Sequence, residues 1–262
     1  MIKSYHIYIF CLLLIIVGYN TKAQTYNKSL WSYGGFVDYI IANHITDFSA
    51  LPGVPNCCPK FTGGTGTGFS IGGLFQYRFY VYNHFLLRAG YQQLSGDLSA
   101  QEPEWIIMND KLTSALIEHT ISTKFTMFFL EPTYKYNTNI GLSFSLGMNA
   151  SILTNSTYSQ QEMLIKPENR GTFETGTRIR NVQSGTLTGT EGMIFFALLV
   201  AEYEIYLDKY RTNILTPRFS FNYGLNSMFR DEKWRITYFS FGISYKYNPF
   251  YETSSPLEPK RP

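Results

Sequence analysis

Hydrophobic and polar residues alternate with a period of two along much of the chain. From Ile140 to Ile152 every even position is apolar, whereas the odd positions carry glycine, serine or asparagine. From Leu215 to Asn226 the odd positions are apolar and the even positions are small, polar or charged. Successive side chains of a β-strand point to opposite faces, so this period predicts strands with one apolar and one polar face.

Six further segments show the same alternation, which gives eight in total. They begin near Trp31, Phe69, Phe85, Ile117, Phe195 and Phe239. In the segment 117–136 the outward apolar residues change from odd to even positions. Ile121, Phe125 and Met127 stand at odd positions, and Tyr134 and Tyr136 stand at even positions. We predict that both groups point outward and that a β-bulge near 128–130 restores the phase.

The connections between the segments alternate in length. Short ones lie near 80–84, 137–139 and 207–213, and longer ones lie near 44–63, 96–115, 154–190 and 227–233. Short turns on one side and long loops on the other are typical of outer-membrane barrels. The pattern therefore predicts an all-β fold, an eight-stranded antiparallel transmembrane β-barrel of the up-and-down type. We expect the part Thr172–Thr188 of the longest loop to form a β-hairpin above the membrane.

A soluble β-sandwich is the alternative, with the apolar faces shared between two inner sheets. Two features favour the barrel. The polar faces are rich in glycine and serine, which suits a narrow packed lumen, and the aromatic residues gather at the segment ends, as in interfacial girdles. The chain has 17% aromatic and 16% charged residues, which excludes intrinsic disorder, and a net charge of +3 is too small to indicate nucleic-acid binding.

The two ends of the chain differ from the barrel in composition. Residues 1–23 combine Lys3, a short apolar run and a Thr-Lys-Ala ending, which predicts a secretory signal peptide. We expect the barrel to span 24–248, followed by a polar, proline-containing periplasmic tail at 249–262. The mature chain contains no apolar run of helix-spanning length, so a membrane-spanning protein must be built from strands. We expect it in the outer membrane of a Gram-negative-type cell envelope.

The last predicted strand carries a pattern of its own. Gly242 is followed by Tyr245 and Tyr247 at alternate outward positions, which resembles the C-terminal signal recognised by the barrel assembly machinery. Together with the glycine-rich stretch Gly63–Phe69 and the preceding Pro55–Phe61, the mature chain resembles the eight-stranded outer-membrane β-barrel family, of the outer-membrane protein A and PorT-like type. We expect no peptidoglycan-binding domain, and the resemblance implies the fold and no particular activity.

The predicted inward faces carry charges of both signs. They are the lumen charge network Asp38, Arg78, Arg88, Lys124, Glu131, Lys135, Glu202, Glu204, Arg218 and Lys246. Because isolated charges are costly in a narrow lumen, we expect them to pair and fill the barrel as a plug. A narrow ion path, as in a small porin-like pore or a transport or secretion accessory, is the alternative.

The sequence offers little that indicates catalysis. His44 and His119 are expected near the outer leaflet, where a lipid-modifying enzyme would act, but no spaced motif joins them to a nucleophile. The adjacent Cys57 and Cys58 lack the further ligands of a metal site. We therefore expect a non-enzymatic monomer without cofactor, metal or catalytic residues. Its expected partners are outer-membrane lipid, the assembly machinery and an unknown ligand or protein at the external loops, with no nucleic acid.

Overall fold

The computed structural model describes residues 29–49, 51, 59–108, 111–168 and 170–249. The predicted signal peptide, the adjacent cysteines and the predicted tail beyond Pro249 lie outside these residues. The described chain forms ten strands. They are β1 (Trp31–Phe48), β2 (Phe61–Arg78), β3 (Asn83–Met108), β4 (Lys111–Asn137), β5 (Leu142–Lys166), β6 (Ile179–Thr186), β7 (Met193–Tyr203), β8 (Ile205–Tyr206), β9 (Asn213–Gly224) and β10 (Lys233–Tyr247).

Eight of these strands close into a ring. The order β10-β1-β2-β3-β4-β5-β7-β9 is antiparallel throughout, and the pairing of β9 with β10 completes the circle. The short β8 continues the line of β7 along β9, and β6 pairs with β5. The predicted eight-stranded antiparallel barrel is confirmed.

The described residues contain no helix that is long and apolar enough to cross a membrane.

Three short connections lie together at one end of the barrel, which we call the short-turn end. The first and last described segments meet this end, where the Arg78 amide donates to Leu30 (2.6 Å) and the Asn248 amide to Thr212 (2.7 Å). Asp208 organises the turn before β9 by accepting from the amides of Tyr210 (2.9 Å) and Asn213 (2.6 Å). A carboxylate that accepts backbone N–H groups is a compact way to close a turn.

The outward face of the ring is apolar, and aromatic residues lie at both of its ends. Near the short-turn end Trp31 stacks on Tyr33, with ring centroids 5.8 Å apart. Near the opposite end Phe69, Tyr91 and Phe128 lie side by side on β2, β3 and β4, with centroids 5.8 and 5.9 Å apart. We call this second group, with Phe221 and Phe239 on β9 and β10, the far aromatic ring. Two aromatic rings around an aliphatic zone are the outer surface expected of a barrel in a bilayer.

Strands β3, β4 and β5 continue well past the far aromatic ring. The β3–β4 ladder runs to Met108↔Lys111, although the sequence predicted a loop near 96–115. The predicted loop near 154–190 is also largely strand, because β5 extends to Lys166. The hairpin expected within Thr172–Thr188 forms differently, since β6 pairs with β5. Those predictions were wrong because ladder hydrogen bonds hold the polar strands beyond the apolar zone. The result is a four-stranded extension, β3-β4-β5-β6.

The predicted bulge also lies elsewhere. Ile121, Phe125 and Met127 are buried, and β4 keeps one inward parity along its length, so the expectation that they point outward was wrong. The extra residue is Thr154 on β5, where the pairing jumps from Met127↔Leu153 to Thr126↔Asn155. The reason is that the lumen is itself apolar at this level, so an apolar parity does not identify the lipid side.

The lumen has two layers. Toward the short turns it is filled by charged and polar side chains. Toward the far aromatic ring it is filled by an apolar cluster that includes Ile40, Phe61, Leu94, Leu98, Ile121, Phe125, Met127, Ile194, Phe196, Trp234 and Ile236. The interior therefore combines an ionic layer with a hydrophobic core of the kind found in soluble domains.

Candidate functional site

The ionic layer begins with two arginines that join two acids. Arg88 on β3 contacts Asp38 on β1 at 2.6 Å and Glu131 on β4 at 3.1 Å. Arg218 on β9 contacts Glu131 at 2.6 Å and Asp38 at 3.6 Å. The hydroxyl of Ser70 donates to Asp38 at 2.9 Å. The contacts of Arg88 with Asp38 and of Arg218 with both acids cross the lumen, so they tie together strands that are not neighbours in the ring.

Two lysines extend the layer toward the short turns. Lys135 on β4 lies 2.7 Å from Glu202 and 2.9 Å from Glu204. Lys246 on β10 contacts Glu204 at 2.6 Å. The Arg218 Nε atom lies 3.4 Å from Glu202 and connects the two halves. The network thus holds four acids and four cations, a balance that offsets the cost of burying charge.

Glycines make room for this network. Gly242 faces Asp38 across β1 and β10, and a Cβ there would lie 1.8 Å from the Asp38 Oδ1 atom. A Cβ at Gly72 would lie 2.8 Å from the Phe36 ring, which also contacts the Arg88 guanidinium at 3.6 Å from the ring centre. The glycine of the predicted assembly signal therefore also has a packing role in the lumen.

Solvent does not reach the centre of the network. Arg88 is 1% exposed and Lys135 has no exposed surface. A water-filled passage beside these side chains would leave part of their surface accessible. These two side chains therefore do not line a water-filled passage in the described part of the chain.

The remaining predicted site residues lie on the outward face or at the short-turn end of β2. Lys124 was predicted to face the lumen, but it is exposed and shares the outward parity of Phe128, so that prediction was wrong. Arg78 is half-buried at the end of β2, opposite His84 on β3. Tyr245 and Tyr247 are exposed on the outward face of β10.

The apolar layer contains one histidine with defined partners. The Trp234 indole N–H donates to His44 Nδ1 at 2.9 Å, and His44 Nε2 lies 2.9 Å from the Ser95 carbonyl oxygen. Because Nδ1 accepts and a carbonyl can only accept, His44 is neutral with its proton on Nε2. The sequence pattern did not reveal this pair, whose members are 190 residues apart.

A second polar cluster lies on the extension. His119 on β4 is 3% exposed and lies 3.6 Å from Glu162 on β5 and 3.8 Å from Glu102 on β3. Arg180 on β6 contacts Glu162 at 2.6 Å and Glu104 at 3.0 Å. Burial acts to lower the pKa of Arg180, but these two carboxylates raise it above its ordinary value. The sequence pattern did not bring His119 together with Glu102 and Glu162, because it predicted loops for the segments that hold the two glutamates.

The described residues include no group of three or more histidine, cysteine, aspartate or glutamate side chains arranged to hold a metal ion. His44 and His119 lie in different layers and do not form a common site.

Comparison with known proteins gives the fold and no family. No family model and no curated protein matches the sequence. Among solved structures, the chain is similar to neisserial surface protein A, at 9% identity and TM-score 0.39, over 83% of this chain and 97% of that one. It is also similar to Ail, the attachment invasion locus protein of Yersinia pestis, at 9% identity and TM-score 0.31, over 82% and 98% of the two chains.

A third similar structure is the outer membrane protease OmpT of Escherichia coli, at 10% identity and TM-score 0.31, over 87% of this chain and 99% of that one. A protease of similar architecture overturns the expectation that this barrel is not an enzyme, because the fold alone does not establish it. The general resemblance to outer-membrane β-barrels is therefore kept. No family model supports the narrower assignment to the outer-membrane protein A and PorT-like type.

Proposed function

We propose that this protein is an outer-membrane β-barrel with a closed lumen that holds the four-stranded extension above the outer surface for binding a partner. The observation that carries the proposal is the buried, charge-balanced layer across the lumen, with Lys135 at its centre. Export by the predicted signal peptide and assembly through Gly242, Tyr245 and Tyr247 belong to the same proposal.

The extension supports a binding role because its two edges differ. Beyond the last β2 partner at Leu98, the edge of β3 has no strand partner within the described ranges, and it carries Pro103, Glu102 and Glu104. Proline and charge on an edge oppose pairing with another strand. The far edge of β6 has no strand partner among the described residues, and Val182 there is 65% exposed. An unprotected edge of this kind can accept an extended segment of another protein.

A conductance measurement tests the closed lumen. Mature protein refolded into planar bilayers should give no single-channel steps, with folding shown by a heat-dependent gel shift on the same sample. The double variant Lys135→Ala/Glu202→Ala removes one charge of each sign and the volume of both side chains, so we expect steps from it. Steps of similar size from the unaltered protein would contradict the proposal and favour the small-pore alternative.

Location is tested separately on intact cells. Trypsin added outside should cut at Arg170 in the segment between β5 and β6, while the short-turn end stays protected. Cleavage only after the outer membrane is opened would place the extension on the inner side and contradict the proposed orientation.

A further inference from the structure

Cations lie on the outward face of the barrel just beyond the far aromatic ring. Arg235 on β10 and Lys124 on β4 are each four positions beyond a ring residue, Phe239 and Phe128. Each is the first outward-facing charge past the aromatic ring on its strand. Four positions correspond to roughly 13 Å along a strand, less when the strand is tilted. That height is where the headgroups of a surrounding lipid leaflet would lie.

On the β10 side such a cation lies beside a cleft. A cleft of about 270 Å³ lies between the end of β1 and the start of β10, lined by Ile45, Asp47, Lys233, Arg235 and their neighbours. Lys233 and Arg235 face Asp47 and Ile45 across the β1–β10 ladder. The cleft therefore has an apolar wall on its lower side and two cations on its edge.

The nearby charges leave the cleft cationic. Asp47 lies 2.5 Å from Lys60, so its charge is already paired, and this pairing lowers the pKa of Asp47 below its ordinary value. Lys233 and Arg235 then contribute two positive charges. Asp231 and Glu232 precede Lys233 in the connecting loop, farther from the far aromatic ring.

Arg235 also contacts β9, the other neighbour of β10. Its Nη1 donates to the hydroxyl of Tyr223 on β9 at 2.9 Å, and its guanidinium carbon lies 5.6 Å from the centre of that ring. A guanidinium oriented by an aromatic neighbour retains donors that can bind a phosphate oxygen in a bidentate manner.

We propose that this cleft binds the phosphate-bearing headgroup of a lipid in the outer leaflet, with Arg235 and Lys233 contacting the phosphate. The inference rests on the proposed function, because it requires the barrel to span the outer membrane. A lipid fits better than free phosphate because the cleft opens onto apolar wall, where Ile45, Ile41 and Phe239 are exposed and can contact an acyl chain.

The test uses the full mature protein in uncharged maltoside micelles and native mass spectrometry. The probes are lipid A with two phosphates, the same lipid after enzymatic removal of both phosphates, and inorganic phosphate. We expect Lys233→Gln/Arg235→Gln to weaken binding of the phosphorylated lipid roughly thirtyfold, about fivefold for each cation. The dephosphorylated lipid should bind alike to both proteins, and inorganic phosphate should not compete at millimolar concentration.

Two single variants serve as matched controls. Lys124→Gln removes a cation at the same height on another strand, β4, and Lys209→Gln removes one at the short-turn end. Both should bind the phosphorylated lipid as the unaltered protein does. An equal loss from Lys124→Gln, an unchanged affinity in the double variant, or competition by inorganic phosphate would overturn the inference.

The heat-dependent gel shift and flotation with vesicles distinguish a failure of the lipid-binding inference from a failure of the proposed function. A barrel that folds and floats but shows no phosphate preference refutes the cleft alone. A chain that folds but does not associate with vesicles refutes the proposed function, and the inference with it.

Discussion

Removing one cation from the ionic layer should destabilise the barrel severely. Lys135 has no exposed surface and lies within 2.9 Å of both Glu202 and Glu204. In Lys135→Met the side-chain volume is nearly kept, but four acids then share three cations. Losing one partner of a buried ion pair costs about 3–5 kcal/mol, because the remaining charge stays buried without compensation. We expect a loss of that size in the free energy of unfolding.

The double variant Lys135→Met/Glu202→Gln restores the charge balance and provides the decisive control. It should recover most of the loss, because Glu204 keeps Lys246 at 2.6 Å. The assay is reversible urea unfolding in lipid vesicles, followed by tryptophan fluorescence and by the gel shift. A loss below about 1 kcal/mol in the single variant, or a double variant no more stable than the single, would refute the reasoning.

Three further results are expected. Gly96→Ala should destabilise the barrel by about 1–3 kcal/mol in the same urea assay, because a Cβ would lie 2.5 Å from the His44 ring, which two hydrogen bonds hold in place. Partial burial acts to raise the pKa of Asp208, but hydrogen bonds from Thr212 and Asn213 lower this pKa from 3.8 to about 2. As the pH falls, the Asp208 carboxylate binds a proton in the unfolded chain before it does so in the folded chain. The stabilising effect of Asp208 should therefore be present above pH 4 and lost as the pH falls toward 2. The variant Asp208→Asn should abolish that pH dependence. In hydrogen–deuterium exchange β6 should exchange faster than the facing part of β5, because one of its edges is free, and equal protection would mean that the edge is covered.

Much of the barrel follows from alternation alone. The outward parity of Phe69 on β2 and of Phe144 on β5 was predictable, because the opposite face there is small or polar. In β4 the reasoning failed, since period two separates two faces without saying which one is inside when both contain apolar residues. Keeping one parity through β4 would have placed Lys124 outward with Phe128.

The candidate sites were less predictable for a different reason. Arg88, Glu131 and Lys135 could be proposed as lumen residues from parity, but their pairing depends on strand stagger. The cleft joins β1 and β10, which are far apart in the chain, and the contacts around His119 involve strand segments that the sequence predicted as loops. The length of the extension was also hidden, because polar strands beyond the apolar zone have the composition of loops.

The hydrogen bond between Trp234 and His44 joins the last strand of the ring to the first. It requires β10 to dock on β1, the pairing that turns an open sheet into a closed cylinder. Trp234 is one of three tryptophans, and the other two, Trp31 and Trp105, are at least partly exposed on other strands. The fluorescence emission of the buried Trp234 indole should therefore report the pairing of β10 with β1 that closes the barrel.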